Sequence, residues 1–233
     1  HPSLLPKYKG SSPIQYALLN NDKVTGVSIQ TLHPSKFDHG EIVAQSSPME
    51  IRQLLMKGTV SQFEENTPHK VSVMMDQLGL IGAELLTKVI KERLYTSQIK
   101  KSPYEESYAP KITTEMRRIH WQHDKGEDIV NRLEVLGPVF TFKETMPKKK
   151  KDKQLKRIIF TGLELCGKEY GLCQAGEFAY IEGKKCIVIR CADGKYLRCK
   201  GIQFEGFKEE NCQQFMTSLG KRCGKLKESM FFL

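Results

Sequence analysis

Residues 1–20 read HPSLLPKYKGSSPIQYALLN, and they contain the change from loop to helix around which the first domain is built. Pro, Ser and Gly crowd the first ten positions, which is typical of a loop whose backbone has a fixed shape. Pro13 suits the first turn of a helix, and Ile14, Ala17 and Leu18 recur at helical spacing. The sequence therefore predicts a shaped loop that leads directly into a short helix.

Two strands and a long helix are expected after this first helix. Residues 25–32 alternate apolar and polar side chains as a strand does, and residues 41–45 form a second, shorter candidate strand. Thr67-Pro68 is a good helix start, and an apolar stripe continues from there to about residue 94. Strands followed by a packing helix indicate an α/β domain over residues 1–94.

The second half has a different pattern. Residues 95–113 show no sustained period, so we place a linker there. A helix is predicted over residues 124–136, with Asp124 and Glu127 at capping-box spacing. Short candidate strands follow at residues 158–165, 178–181, 186–191 and 196–204, and a last helix at 209–219. Many short strands separated by Gly-containing turns indicate a small β-barrel.

Composition limits the classes of function. The chain has 233 residues, 39% of them hydrophobic, with a net charge of +10 and a pI near 9.2. Such a charge favours a polyanionic partner, either nucleic acid or an acidic membrane surface. No apolar run approaches the roughly 18 residues that indicate a membrane span. Seven cysteines without a Cys-x-x-Cys pair favour buried thiols in a reducing compartment over a disulfide framework.

Titratable side chains near the start of the chain are candidates for chemistry. They are His1, His33, Asp38 and His39. A carboxylate beside an imidazole favours the protonated ring, and such a pair can polarise a carbonyl group or move a proton. The structural alternative is a loop histidine and an aspartate in a surface turn, because spacing alone does not show that the two meet.

Four segments carry a resemblance to a known family. They are HPSLLPKYKG at 1–10, PIQ at 13–15, TGV at 25–27 and DHGEI at 38–42. In this order and near this spacing, they resemble the folate-dependent formyltransferase family. The resemblance implies that His1 and Asp38 are catalytic, together with an Asn two residues before the His. That Asn would lie just outside this chain, so we expect the chain alone to be a poor catalyst.

The same resemblance implies the co-substrate and the residues that hold it. The co-substrate would be 10-formyltetrahydrofolate, and its loop would be formed by Ser3, Leu4, Leu5 and Pro6. Attack of an amine on the formyl carbon develops charge on oxygen, which a protonated His1 would stabilise. Asp38 would hold that ring and relay the proton that leaves the amine. The implied chemistry needs no metal.

The segment Tyr-Ala-Pro-Lys-Ile at 108–112 resembles the connection between the two domains of methionyl-tRNA formyltransferases. The implied architecture is an α/β, partial Rossmann-like formyltransferase domain at 1–94, a linker at 95–113 and an OB-like β-barrel at 114–233. In that family the barrel contacts tRNA. Related formyltransferases that act on sugar nucleotides share the linker and the barrel, so the assignment to tRNA also depends on charge.

Basic residues of the second domain are the candidate contacts to tRNA. They are Lys148, Lys149, Lys150 and Lys151 in one run, and Arg198 and Lys200 on one face of a strand. Clustered cations bind a phosphate backbone by releasing counterions. The alternative interpretation is a solvated, charged loop.

The resemblance thus implies formyl transfer from 10-formyltetrahydrofolate to methionyl-tRNA. The phrase Lys36-Phe37-Asp38 resembles eukaryotic mitochondrial members, and we therefore expect the mitochondrial matrix. We also expect a monomer without a membrane partner. Two alternatives stay open: a formyltransferase of the same fold acting on a sugar nucleotide or purine precursor, and a non-catalytic RNA-binding relic.

Overall fold

The computed structural model describes residues 1–59, 67–96, 101–146 and 152–233. The chain divides into two compact units, His1–Thr113 and Thr114–Leu233. No helix in the described ranges is both long enough and apolar enough to cross a membrane.

The first unit contains short elements arranged around one long helix. Its helices are α1 (Pro13–Leu19), α2 (Ile51–Leu55) and α3 (His69–Lys91), and its strands are β1 (Val24–Thr25), β2 (Ser28–Gln30), β3 (Ile42–Gln45) and β4 (Met49–Glu50). Strand β1 pairs with β4, and β2 pairs with β3, both antiparallel. The helix predicted from Pro13 is confirmed, as is the strand near residues 41–45.

The single strand expected over residues 25–32 is in fact two strands in different small sheets. Gly26 and Val27 separate the two strands, and an added Cβ atom at Gly26 would lie 2.5 Å from the side chain of Leu4. This close approach of the first loop requires glycine, and the strand is interrupted there. The hydroxyl of Thr67 also does not cap α3, because Pro68 occupies the N-cap position.

The second unit is a curled antiparallel sheet with a helix at each end of its sequence. Helix α4 (Gly126–Leu136) precedes β5 (Val139–Thr145), β6 (Gln154–Cys166), β7 (Phe178–Ile181), β8 (Cys186–Arg190), β9 (Tyr196–Phe204) and β10 (Glu209–Glu210), and α5 (Cys212–Cys223) follows. The strand order is β5-β6-β9-β8-β7, and β10 pairs with β9. Strand β5 had no counterpart in the sequence prediction. The expected capping box at Asp124 is absent because that carboxylate binds Arg132.

The last residues of the chain lie between the two edge strands of this sheet. Phe142 of β5 exchanges two backbone hydrogen bonds with Leu233, and the amide of Phe178 in β7 donates to the carbonyl of Met230. The peptide therefore fills the opening of a half-barrel, and the predicted OB-like barrel is confirmed in this form. Below it, Trp121, Phe160 and Phe178 pack around Phe232 in the main apolar core.

The cysteines lie mostly in this core. Five of the seven are buried and none is in a disulfide, as expected; Cys173 is exposed. Burial raises the pKa of the Cys191 thiol to about 12, so this thiol stays protonated at neutral pH.

Candidate active site and basic surface

The structure brings His1 and Asp38 together. The Nδ1 atom of His1 lies 3.4 Å from the Oδ1 atom of Asp38, and the two side chains are 9% and 17% exposed. The Nε2 atom of His1 lies 3.0 Å from the carbonyl oxygen of Tyr8. With an acceptor beside each nitrogen, the ring can donate to both of them only as an imidazolium.

The carboxylate of Asp38 is held from two further sides. The backbone amide of Gly10 donates to Oδ2 over 2.8 Å, and the side-chain amide of Gln30 donates to Oδ1 over 2.8 Å. Asp38 itself has a φ of +56°, in the left-handed region. Two segments, the opening loop and strand β2, therefore fix the carboxylate of Asp38, which itself lies in the loop between β2 and β3.

Glycine is required at position 10. Its φ is +120°, and an added Cβ atom would lie 2.6 Å from the carbonyl oxygen of Ala109. Residues 107–109 run beside the loop there, with the amide of Lys9 donating to Ser107 and the amide of Ala109 donating to Lys9. The close contact keeps the Gly10 amide directed at Asp38.

The loop residues Ser3, Leu4, Leu5 and Pro6 use most of their polar atoms inside the unit. The hydroxyl of Ser3 donates to the carbonyl of Lys7, and Ser28 bridges the carbonyl of Ser3 and the amide of Leu5. Gln45 donates to the carbonyl of Leu5. The leucine side chains are 5% and 1% exposed. The hydrogen bonds of these residues therefore fix the shape of the loop that carries His1.

A cavity of about 520 Å³ opens beside His1. Its loop side carries the polar groups of His1, Ser11 and Gln15, whereas its other side is the apolar surface of α3, including Met75 and Leu86. The volume is that of a small-molecule pocket, about 300–1,000 Å³. Among the described residues that line the cavity, the side chains able to form hydrogen bonds with a polar ligand are those of His1, Ser11 and Gln15.

Sequence reasoning missed the residues that orient the pair, namely Gly10, Gln30 and the carbonyl of Tyr8. Gln30 read only as a polar position in an alternating strand, and nothing in the pattern connects it with Asp38. Of the other candidate histidines, His33 is exposed and accepts from the amides of Ser35 and Lys36. His39 is partly buried, and its Nδ1 atom lies 2.6 Å from the carbonyl oxygen of Phe37. Among the described residues no group of three or more His, Cys, Asp or Glu side chains could hold a metal ion.

On the second unit, Arg198 and Lys200 lie on one face of β9, as predicted. Both contact the carboxylate of Glu164 on the neighbouring strand β6, which lowers the pKa of Glu164, mainly through its hydrogen bond with Lys200. The two cations therefore keep one uncompensated positive charge between them. The predicted contacts Lys148, Lys149, Lys150 and Lys151 lie outside the described residues. Residues 114–233 contain 24 Lys and Arg against 16 Asp and Glu.

Comparison with family models gives the class of protein. The model "Formyl transferase" matches residues 1–74, and "Formyl transferase, C-terminal domain" matches residues 111–220. The chain therefore belongs to the formyl transferase family. His1, Asp38 and the loop lie in the first match, and β5–β10 lie in the second.

Within this family, the chain is similar to methionyl-tRNA formyltransferases. The chain is 44% identical over 245 aligned residues to mitochondrial methionyl-tRNA formyltransferase of Saccharomyces cerevisiae, covering 100% of this chain and 61% of the relative. It is 27% identical to methionyl-tRNA formyltransferase of Lactococcus lactis, covering 95% and 62%. The chain thus spans about three fifths of the length of these relatives.

A solved structure supports the fold. HypX from Aquifex aeolicus in complex with tetrahydrofolic acid superposes with a TM-score of 0.53 at 14% identity, over 95% of this chain and 35% of that chain. At this identity the similarity concerns the fold alone.

Proposed function

We propose that the protein takes part in transfer of the formyl group of 10-formyltetrahydrofolate to the amino group of methionyl-tRNA. The observation that carries the proposal is the ion pair of His1 and Asp38, 3.4 Å between Nδ1 and Oδ1, at the edge of a cavity. The similarity to yeast methionyl-tRNA formyltransferase extends over the whole chain and so includes both residues.

The loop side of the cavity suits the formyl donor. Folate carries many polar groups, and Ser11 and Gln15 line the cavity next to His1. When bound there, the co-substrate supplies the formyl group. Ser3, Leu4, Leu5 and Pro6 act through the shape of the loop, because their polar atoms are mostly used within the unit.

His1 and Asp38 then have separate tasks. The imidazolium places a positive charge at the cavity edge, where charge develops on the formyl oxygen as the amine attacks. Asp38 holds and orients that ring, and it accepts the proton that leaves the amine. As the amine becomes bonded to the formyl carbon, the bond from that carbon to the folate nitrogen breaks, and the folate nitrogen takes up the proton. Gly10 and Gln30 are positioning residues, because they act through Asp38.

The second unit would supply affinity for the tRNA. Its excess of cations suits a phosphate backbone, and Arg198, Lys200 and the run Lys148–Lys151 are the proposed contacts. Because the yeast relative is mitochondrial, the mitochondrion is the proposed location of this protein. The proposed compartment is the matrix, where initiator methionyl-tRNA would be used.

The test is a chimera in which this chain replaces the matching region of the yeast relative. Formylation of methionyl-tRNA is measured with 10-formyltetrahydrofolate as donor, beside the yeast protein and the chain alone. We expect the chimera to formylate methionyl-tRNA, and the chain alone to be slower by orders of magnitude. A soluble, folded chimera that binds tRNA but transfers no formyl group would support the non-catalytic relic instead.

A further inference from the structure

The turn between β9 and β10 presents an aromatic ring to solvent. The amide of Phe207 donates to the carbonyl of Phe204 over 2.9 Å, and Gln203 donates to the carbonyl of Phe207 over 2.7 Å. Gly206 provides the positive φ, +83°, that the turn needs. Although its backbone is held on both sides, the Phe207 side chain remains 48% exposed.

One face of this ring is already covered. The guanidinium carbon of Arg222 lies 3.9 Å from the centroid of the Phe207 ring. Arg222 is in turn fixed by two hydrogen bonds to the carboxylate of Glu210, of 2.7 and 2.6 Å. A ring clamped in this way loses little conformational entropy when a second flat group stacks on its other face.

The ring borders a cavity of about 450 Å³ between β5, β6, the turn and α5. The side chains of Gln154, Ser218 and Lys221 line it, and none of the three has a hydrogen bond to another residue in the described ranges. Gln154 can both donate and accept, Ser218 can do the same, and Lys221 is an uncompensated cation. The cavity thus combines an aromatic platform, bidirectional hydrogen-bonding groups and a positive charge.

We propose that this cavity, bordered by Phe207, Arg222 and Lys221, binds an unpaired nucleobase of RNA. The base stacks on the open face of Phe207, its polar edge meets Gln154 and Ser218, and the adjacent phosphate meets Lys221. This inference rests on the proposed function, since the RNA is taken to be the tRNA substrate. A base in a duplex has both faces stacked already, so the site selects an unpaired nucleotide.

The charge around the cavity agrees with an RNA occupant. Glu205 and Glu210 line or flank it, but Glu205 binds the ammonium of Lys156 and Glu210 binds Arg222. The hydrogen bond from Arg222 lowers the pKa of Glu210. The pKa of Glu205 is lowered mainly by the hydrogen bond from the backbone amide of Arg157, followed by that from Lys156. Both carboxylates are therefore neutralised in pairs, and the remaining charge is that of Lys221.

The experiment measures binding of the full chain to three fluorescent probes: an unmodified tRNA transcript, a short single-stranded RNA and a blunt duplex of the same sequence. We expect Phe207→Ala to bind the single strand about tenfold more weakly, because stacking on an aromatic side chain is worth about 1–3 kcal/mol per base. Duplex binding and the salt dependence should stay unchanged. Lys221→Ala should reduce the salt slope by about one.

Two variants control for folding. Leu155→Ala removes another exposed apolar side chain, which is 56% exposed. Leu155 lies between Gln154 and Lys156 in the sequence and therefore on the opposite face of β6. This variant should bind all three probes like the wild type. Phe207→Tyr keeps the ring and should retain affinity. The inference would be overturned if Phe207→Ala weakened binding to the single strand and to the duplex equally, or weakened neither. It would also be overturned if the wild-type chain bound tRNA but not the single strand, although that result would not contradict the proposed function.

Discussion

Asp38 and Glu164 are carboxylates that hold cations in opposite settings. Asp38 lies in a loop, with a left-handed backbone, and its three partners come from two other segments, the opening loop and strand β2. Glu164 lies near the end of the long strand β6, directly opposite Arg198 in the ladder between β6 and β9. At Asp38, each hydrogen bond helps to fix the position of the carboxylate. At Glu164, the backbone hydrogen bonds between β6 and β9 fix its position, and the side-chain contacts only change the local charge.

The largest effect should follow from breaking the loop that holds Asp38. Gly10→Ala places a Cβ atom within 2.6 Å of the Ala109 carbonyl oxygen at a φ of +120°. We expect the first unit to lose about 2–3 kcal/mol of stability, because the strain must be relieved by moving the loop. Chemical denaturation measures this loss.

The matched control is Gly183→Ala in the second unit, where an added Cβ atom meets nothing within 4 Å and φ is not positive. It should change stability by less than about 0.5 kcal/mol. Equal effects of the two substitutions would show that the close contact between Gly10 and Ala109 does not fix the loop.

The ion pair of Asp124 and Arg132 gives a prediction of how stability depends on pH. The carboxylate of Asp124 accepts hydrogen bonds from both terminal nitrogens of the Arg132 guanidinium and from the backbone amide of His120. Burial raises its pKa, but these partners more than offset burial, and the net pKa is lowered from 3.8. The pair therefore stabilises the folded state above pH 3.8, and this contribution is lost as pH falls through the lowered pKa.

The substitution Asp124→Asn should cost about 1.5 kcal/mol at neutral pH, because it removes charged hydrogen bonds. The difference from the wild type should shrink as the pH falls below 3.8. Thermal unfolding across this pH range measures it. A difference that stays constant with pH would show that the carboxylate charge is not what stabilises the unit.

The smallest effect on stability is expected at Glu164. Glu164→Gln removes a carboxylate at the protein surface whose side chain is 29% exposed, and surface ion pairs contribute about 0–1 kcal/mol. It also releases Arg198 and Lys200, so tRNA should bind a few-fold more tightly with a steeper salt dependence. Weaker binding would contradict the proposed role of this face.

Sequence reasoning succeeded where structure is local. The strands Phe178–Ile181 and Tyr196–Phe204 were predicted to the residue, because each lies between Gly-containing turns. Strand β5 was missed. Its Lys143 is fully buried, with its ammonium donating to the carbonyl of Ser229, 86 residues away. No local pattern reveals a buried lysine that is satisfied from such a distance.

The same limit applies to the candidate site. His1 and Asp38 could be paired from the resemblance, but Gly10 and Gln30 could not, since hydrogen bonds between separate loops leave no period in the sequence. The roles of His1, Asp38 and residues 3–6 in the reaction stay predictions. What the structure adds is the geometry that a catalytic pair requires.

The most direct measurement is the formylation rate of the yeast chimera with Asp38→Asn, beside the same chimera with Glu164→Gln. Asparagine keeps the shape of Asp38 but removes the charge that holds the imidazolium of His1. We predict a fall of about 10²–10⁴-fold for Asp38→Asn, the size of a lost acid–base group, and little change for Glu164→Gln. Rates within a few-fold of each other, in two folded proteins, would contradict the account.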